Sequence, residues 1–173
     1  MPEIRTSVRN GTLVIETRDN LTIRPTSLAN PLTFTLVVKE LISLDVSGLG
    51  EVQIEALSTP SMSYDFSGAG SMVQNQLTTQ NLNISLSGLG GVEISGQADR
   101  ATIDLSGAGS VNAPDLQIQT AYIDVSGLGG ATVWVTDQLT GDISGAGSVS
   151  YYGNPQTSTT SSGLGEFKSL GNK

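Results

Sequence analysis

A Ser-Gly-Xaa-Gly tetrapeptide returns seven times in this chain of 173 residues, and no other feature constrains the fold as tightly. Its serines are Ser47, Ser67, Ser87, Ser106, Ser126, Ser144 and Ser162, at steps of 20, 20, 19, 20, 18 and 18 residues. The third position alternates without exception: Leu49, Ala69, Leu89, Ala108, Leu128, Ala146, Leu164. A fixed period of this length means one supersecondary unit stacked on copies of itself.

Short runs in the order apolar, polar, apolar precede the tetrapeptides, as in Leu44-Asp45-Val46, Tyr64-Asp65-Phe66, Ile103-Asp104-Leu105 and Ile123-Asp124-Val125. This is period two, so each reads as a strand with its apolar face inward. Second strands follow, such as Val52-Gln53-Ile54 and Val92-Glu93-Ile94, and often a third patch such as Leu116-Gln117-Ile118. Two or three strands in about 20 residues make one coil of a parallel β-helix. The tetrapeptides are then corners, whose glycines are Gly48, Gly50, Gly68, Gly70, Gly88, Gly90, Gly107, Gly109, Gly127, Gly129, Gly145, Gly147, Gly163 and Gly165. Glycine suits a corner for its conformational freedom and because coils stack about 4.8 Å apart, leaving little room for side chains. The single Leu or Ala of each corner is expected to point inward, with large groups overhanging small ones.

Residues 1–43 lack the repeat and are expected to form the N-terminal cap of a repeat body spanning 44–173, the two making one domain. Val8 to Glu16 reads as a hairpin around Asn10-Gly11. Leu32 to Val38 reads as a strand, with Arg24-Pro25-Thr26-Ser27 and Asn30-Pro31 as loop punctuation before it. The tail 166–173 is expected to cap or fray, and no stretch reads as a helix.

Composition narrows the chemistry. There is no cysteine and no histidine, which removes thiolate nucleophiles, imidazole acid–base catalysis and the usual zinc ligands. Net charge is −8, but residues 40–167 alone carry −12, with Arg100 their one basic group. So acidic a body repels phosphate backbones and excludes nucleic-acid binding. No apolar run reaches the roughly 18 residues of a membrane span. Gly-Leu-Gly-Gly at Gly88 and Gly127 fits neither phosphate-loop pattern.

The candidate site is a file of carboxylates two residues before the corner serines: Asp45, Asp65, Asp104, Asp124 and Asp142, broken by Ser85 and ended by Thr160. Stacked about 5 Å apart, they either stand as a solvated face or gather a cation such as Ca²⁺. The glycine-rich calcium solenoid pattern does not match, because there Asp follows the glycines. Paired carboxylates also serve glycoside cleavage, but that needs a cleft, of which the sequence carries no sign. Trp134 lies out of phase with Val133 and Val135 and is expected to face outward. With Tyr151 and Tyr152 it is a candidate contact for a sugar ring or a protein.

The Ser-Gly-Ala/Leu-Gly corners, closed by Val149-Ser150-Tyr151-Tyr152-Gly153-Asn154-Pro155 and one more copy, resemble the head GIN domain family of putative autotransporter adhesins, formerly a domain of unknown function. The resemblance covers roughly residues 8–168 and implies a right-handed β-helix-like solenoid at the bacterial cell surface or in the periplasm. It implies no catalytic residues and no cofactor. Members of that family usually begin with a further strand pair ahead of the Asn-Gly hairpin and carry a leader; this sequence shows neither and is expected to be a truncated piece. Together these readings point to an all-β, non-enzymatic adhesin-like module whose partner is a polysaccharide or an envelope protein. A structural module that self-associates and, more remotely, a carbohydrate-active enzyme are the alternatives.

Overall fold

The computed structural model describes residues 4–17 and 33–173. They fall into two compact units, 1–37 and 38–173. In the first, β1 (Ile4–Arg9) and β2 (Thr12–Thr17) pair antiparallel across Asn10 and Gly11. Both turn residues have positive φ, 51° and 80°, the conformation that an Asn-Gly hairpin turn requires. The expected loop residues 24–27 and 30–31 lie outside the described residues.

The expected strand at 32–38 does not form in its described part, 33–38. Phe34, Leu36, Val37 and Val38 are exposed there, Val37 almost completely. Strand propensity is realised only against a neighbouring edge and a core, and this stretch has neither among the described residues.

The second unit is a parallel β-solenoid. Its strands are β3 (Ser43–Val46), β4 (Glu51–Ile54), β5 (Leu57–Phe66), β6 (Ser71–Leu86), β7 (Gly91–Leu105), β8 (Ser110–Val125), β9 (Gly130–Ile143), β10 (Ser148–Tyr152), β11 (Gln156–Ser161) and β12 (Glu166–Ser169). Every ladder among them is parallel, and each coil lies on the one before it in chain order. A coil such as 87–105 begins at its Ser-Gly corner and runs out along β7. It bends at Gly96, whose φ of +129° only glycine adopts readily, and turns again at Asp99, where ladder pairing lapses.

Inward residues form columns through the stack. Tyr64, Ile84, Ile103 and Ile123 are in register, as are Phe66, Leu86, Leu105, Val125 and Ile143, all buried. The first column ends at Gly141, where Phe167 of β12 packs: a Cβ on that glycine would lie 3.0 Å from the phenyl ring. The tail therefore caps this end of the core. The uneven steps have local causes. One residue of β6 between Gln74 and Leu77 has no counterpart in β7, and β8 bulges between Ala113 and Gln117.

Corner glycines are required by space and not by conformation, since none of them has positive φ. A Cβ on Gly68, Gly88, Gly107, Gly127, Gly145 or Gly163 would penetrate the backbone carbonyl of the coil beneath. Nothing lies within 4 Å of such an atom on Gly48 or Gly50, in the first coil. The tight stacking lets hydrogen bonds run through the corners, for example from the Leu89 amide to Gly68 O and from Ala108 to Gly88 O, each 3.1 Å.

The inward placement expected for the corner Leu and Ala is wrong. Leu49, Leu89, Leu128 and Leu164 are 85%, 72%, 72% and 94% exposed, and the three alanines between them are exposed too. The stacked corner glycines lie directly on the backbone of the coil beneath, and Gly109, Gly147 and Gly165 also on the Leu86, Val125 and Ile143 side chains, so no space remains inside for a further side chain there.

Candidate functional site

The aspartate file assembles as its spacing predicts. Asp45 pairs with Asp65, Asp65 with Ser85, Ser85 with Asp104, Asp104 with Asp124, Asp124 with Asp142 and Asp142 with Thr160. The flanking residues are inward, so period two forces these side chains out. All are exposed except Asp124, which is half-exposed. The corner serines beside them are exposed as well.

Two parallel rows complete this face. Asn83, Thr102, Tyr122 and Thr140 are in register one outward position before the file, and Asn81, Arg100, Thr120 and Gln138 one further back. Tyr122 is 46% exposed. It is not among the residues the sequence singles out, although its separation of two residues from Asp124 puts it in the same outward phase. The result is a strip of carboxylates, amides and hydroxyls with one guanidinium, Arg100, and one aromatic ring, Tyr122.

The carboxylates lie in a row and do not surround a point. Among the described residues no group of three or more Asp, Glu, His or Cys could hold a metal ion.

The other candidates lie elsewhere. Val133 and Val135 are fully buried, so Trp134 does face out, but it is half-buried. Tyr152 pairs with it across the ladder. The Lys173 ammonium sits 5.4 Å from the Trp134 ring centroid and 5.7 Å from that of Tyr152, and it also hydrogen-bonds Pro114 O and the Asp115 carboxylate. Both rings are thereby engaged by a cation. Tyr151 pairs with Val133 and packs on the core. Trp134 precedes the corner at Asp137, and the aspartate file follows it. The structure does not bring Trp134, Tyr151 and Tyr152 to the file.

That second corner carries open depressions lined by Gln97, Asp99, Gln117, Gln119 and Asp137, and by Thr59, Thr79 and Gln80. No described helix is long and apolar enough to cross a membrane. Among the described residues every buried side-chain nitrogen and oxygen has a hydrogen-bond partner, including Gln74 at 1% exposure.

The family described as "Putative auto-transporter adhesin, head GIN domain" matches residues 1–155. A crystal structure of a putative adhesin from Bacteroides fragilis NCTC 9343 is similar with a TM-score of 0.90 and 26% identity, covering 96% of this chain and 76% of that one. A putative lipid binding protein from Parabacteroides distasonis ATCC 8503 shares the fold at a TM-score of 0.65 and 23% identity, over 96% and 78% of the two chains. No protein of curated function matches.

Proposed function

The chain belongs to the head GIN domain family, and from that membership we propose that it is a non-enzymatic adhesin-like module that presents its acidic solenoid face to a polysaccharide outside the cytoplasm. The observation that carries the reading is the in-register run Asp104, Asp124, Asp142 with Tyr122 beside it. Carboxylates, amides and hydroxyls accept and donate hydrogen bonds to sugar hydroxyls, and an exposed phenol ring offers an apolar surface to a pyranose. Stacking repeats the same groups at intervals of about 4.8 Å on a rigid support, so a polymer meets many equivalent contacts with little ordering cost to the protein.

The open row also supports a binding role over cleavage. Glycoside hydrolysis needs two carboxyl groups facing each other across the bond to be broken. Here they stand side by side on one exposed surface. The family's adhesin description supports a cell-surface or periplasmic location.

A glycan array probed with the purified domain, with and without calcium, tests the reading. Saturable retention that falls at least about tenfold in Asp104→Asn/Asp124→Asn is expected. Equal retention by the variant would move the site off the file. Capture of an envelope protein with no glycan retained would replace the polysaccharide by a protein partner.

A further inference from the structure

The corner ladder Leu49, Ala69, Leu89, Ala108, Leu128, Ala146, Leu164 has no role inside the molecule, because every one of its side chains points to solvent. Packing between coils does not explain its alternation either. A leucine draped over the neighbouring alanine would be shielded, and these leucines are 72–94% exposed. The hydrogen bonds through successive corners hold the rungs in strict register. Large side chains therefore protrude at every second coil, about 9.6 Å apart, with alanine hollows between them.

Such a ridge is complementary to itself. When two copies meet with their axes antiparallel and offset by one coil, three leucines of each copy face alanines, and the fourth, Leu164 or Leu49 according to register, overhangs the end. Leu89 then opposes Ala108 of the second copy and Ala69 opposes Leu128; or, one coil further, Ala108 opposes Leu128 and Leu89 opposes Ala146. Both registers close around a two-fold axis beside Ala108, which makes a finite pair and not a fibre. A symmetric parallel pair would set leucine against leucine and leave voids at the alanines. Charge favours the same place. The seven Ser-Gly-Xaa-Gly corners carry no charged residue, so they form a neutral corridor along residues 40–167, whose net charge is −12. It is the line along which two acidic bodies approach with least repulsion.

We infer that the Leu/Ala corner ladder is a docking surface for a second copy of this chain, paired antiparallel with leucines seated over alanines. This concerns a different strip of the coil from the acidic face and stands independently of the polysaccharide reading. The three seated leucines of each copy offer on the order of 100 Å² each, which with the serine rims falls short of the roughly 800 Å² per partner of a standard interface. The pair is accordingly weak, and it tightens with salt as the flanking carboxylates are screened.

Sedimentation equilibrium from about 10 μM to 1 mM tests it, together with oxidation of Ala108→Cys, which introduces the chain's sole thiol next to the two-fold axis. Expected are a mass rising toward that of two chains and a disulfide-linked pair. The decisive variant is Ala108→Leu, which adds apolar surface but fills a hollow. Seating predicts at least about tenfold weaker pairing, restored by adding Leu89→Ala or Leu128→Ala according to register. Stronger association of Ala108→Leu would overturn the inference, because it would mean indiscriminate apolar contact. A mass of one chain at 1 mM would overturn it too, as would phosphatidylcholine vesicles binding the wild type and Ala108→Leu more tightly still.

Discussion

The Tyr64 hydroxyl donates a 2.8 Å hydrogen bond to Oε1 of Gln74, both residues being buried. Gln74 Nε2 in turn donates to Glu55 O and Asn75 O, which ties the first coils together beside the bulge at Gln74/Leu77. Burial pushes the phenol well above its ordinary value. The folded state therefore holds this proton more tightly than the unfolded state, where the group titrates near pH 10. Tyr64→Phe orphans a buried acceptor and should cost about 1–3 kcal/mol below that pH. The wild type's advantage should shrink as pH rises above about 10, where the unfolded chain ionises first. Urea melts of both proteins at pH 8 and above pH 10 check this.

Glycine matters at the corners because of what lies beneath it. Gly107→Ala drives a methyl into Gly88 O and should destabilise by about 3 kcal/mol or more, the upper range of overpacking. Gly48→Ala meets open space and should stay within about 0.5 kcal/mol of wild type. Equal losses at the two positions, measured by chemical denaturation, would mean that the corners need glycine's conformational freedom after all.

Phe167 closes the C-terminal end of the core over Gly141. Because it is half-buried, Phe167→Ala should cost about 2 kcal/mol, below the value for a fully buried phenylalanine. The loss should be local. Hydrogen exchange should quicken in β10, β11 and β12 before it does in β6 to β8.

Lys173 covers the protein's one tryptophan, which makes fluorescence a clean reporter. Lys173→Ala should raise the accessibility of Trp134 to acrylamide while leaving thermal stability within about 1 kcal/mol, the usual worth of an exposed cation–π contact. Unchanged quenching would place the lysine off the ring in solution.

The repeat makes the stack legible in the sequence. Wherever residues sit on a strand, period two placed them correctly: Tyr64 and Ile103 in, Asp104 and Asp124 out, Trp134 out between two buried valines. The Asn10-Gly11 turn was legible for the same local reason. Alternation carries no information through a corner, where the chain changes direction, so the inward side expected for the Leu49 series is the wrong one. The stretch 33–38 misled because its pattern specifies a strand without specifying a partner. Tyr122 was legible in phase but was hidden among the polar residues of its row. Which coils bulge, at Gln74/Leu77 and Ala113/Gln117, depends on register between neighbours and had no local signature.

The central claim is that a repeated surface binds, so the most direct measurement is affinity against ligand length. Length-defined oligosaccharides of the glycan retained on the array, titrated calorimetrically, should bind more tightly with each added unit. The gain should level off once the ligand spans the file from Asp45 to Thr160, about 29 Å at the coil spacing. Full affinity from a mono- or disaccharide, with no gain on lengthening, would mean a single local pocket and would contradict the account.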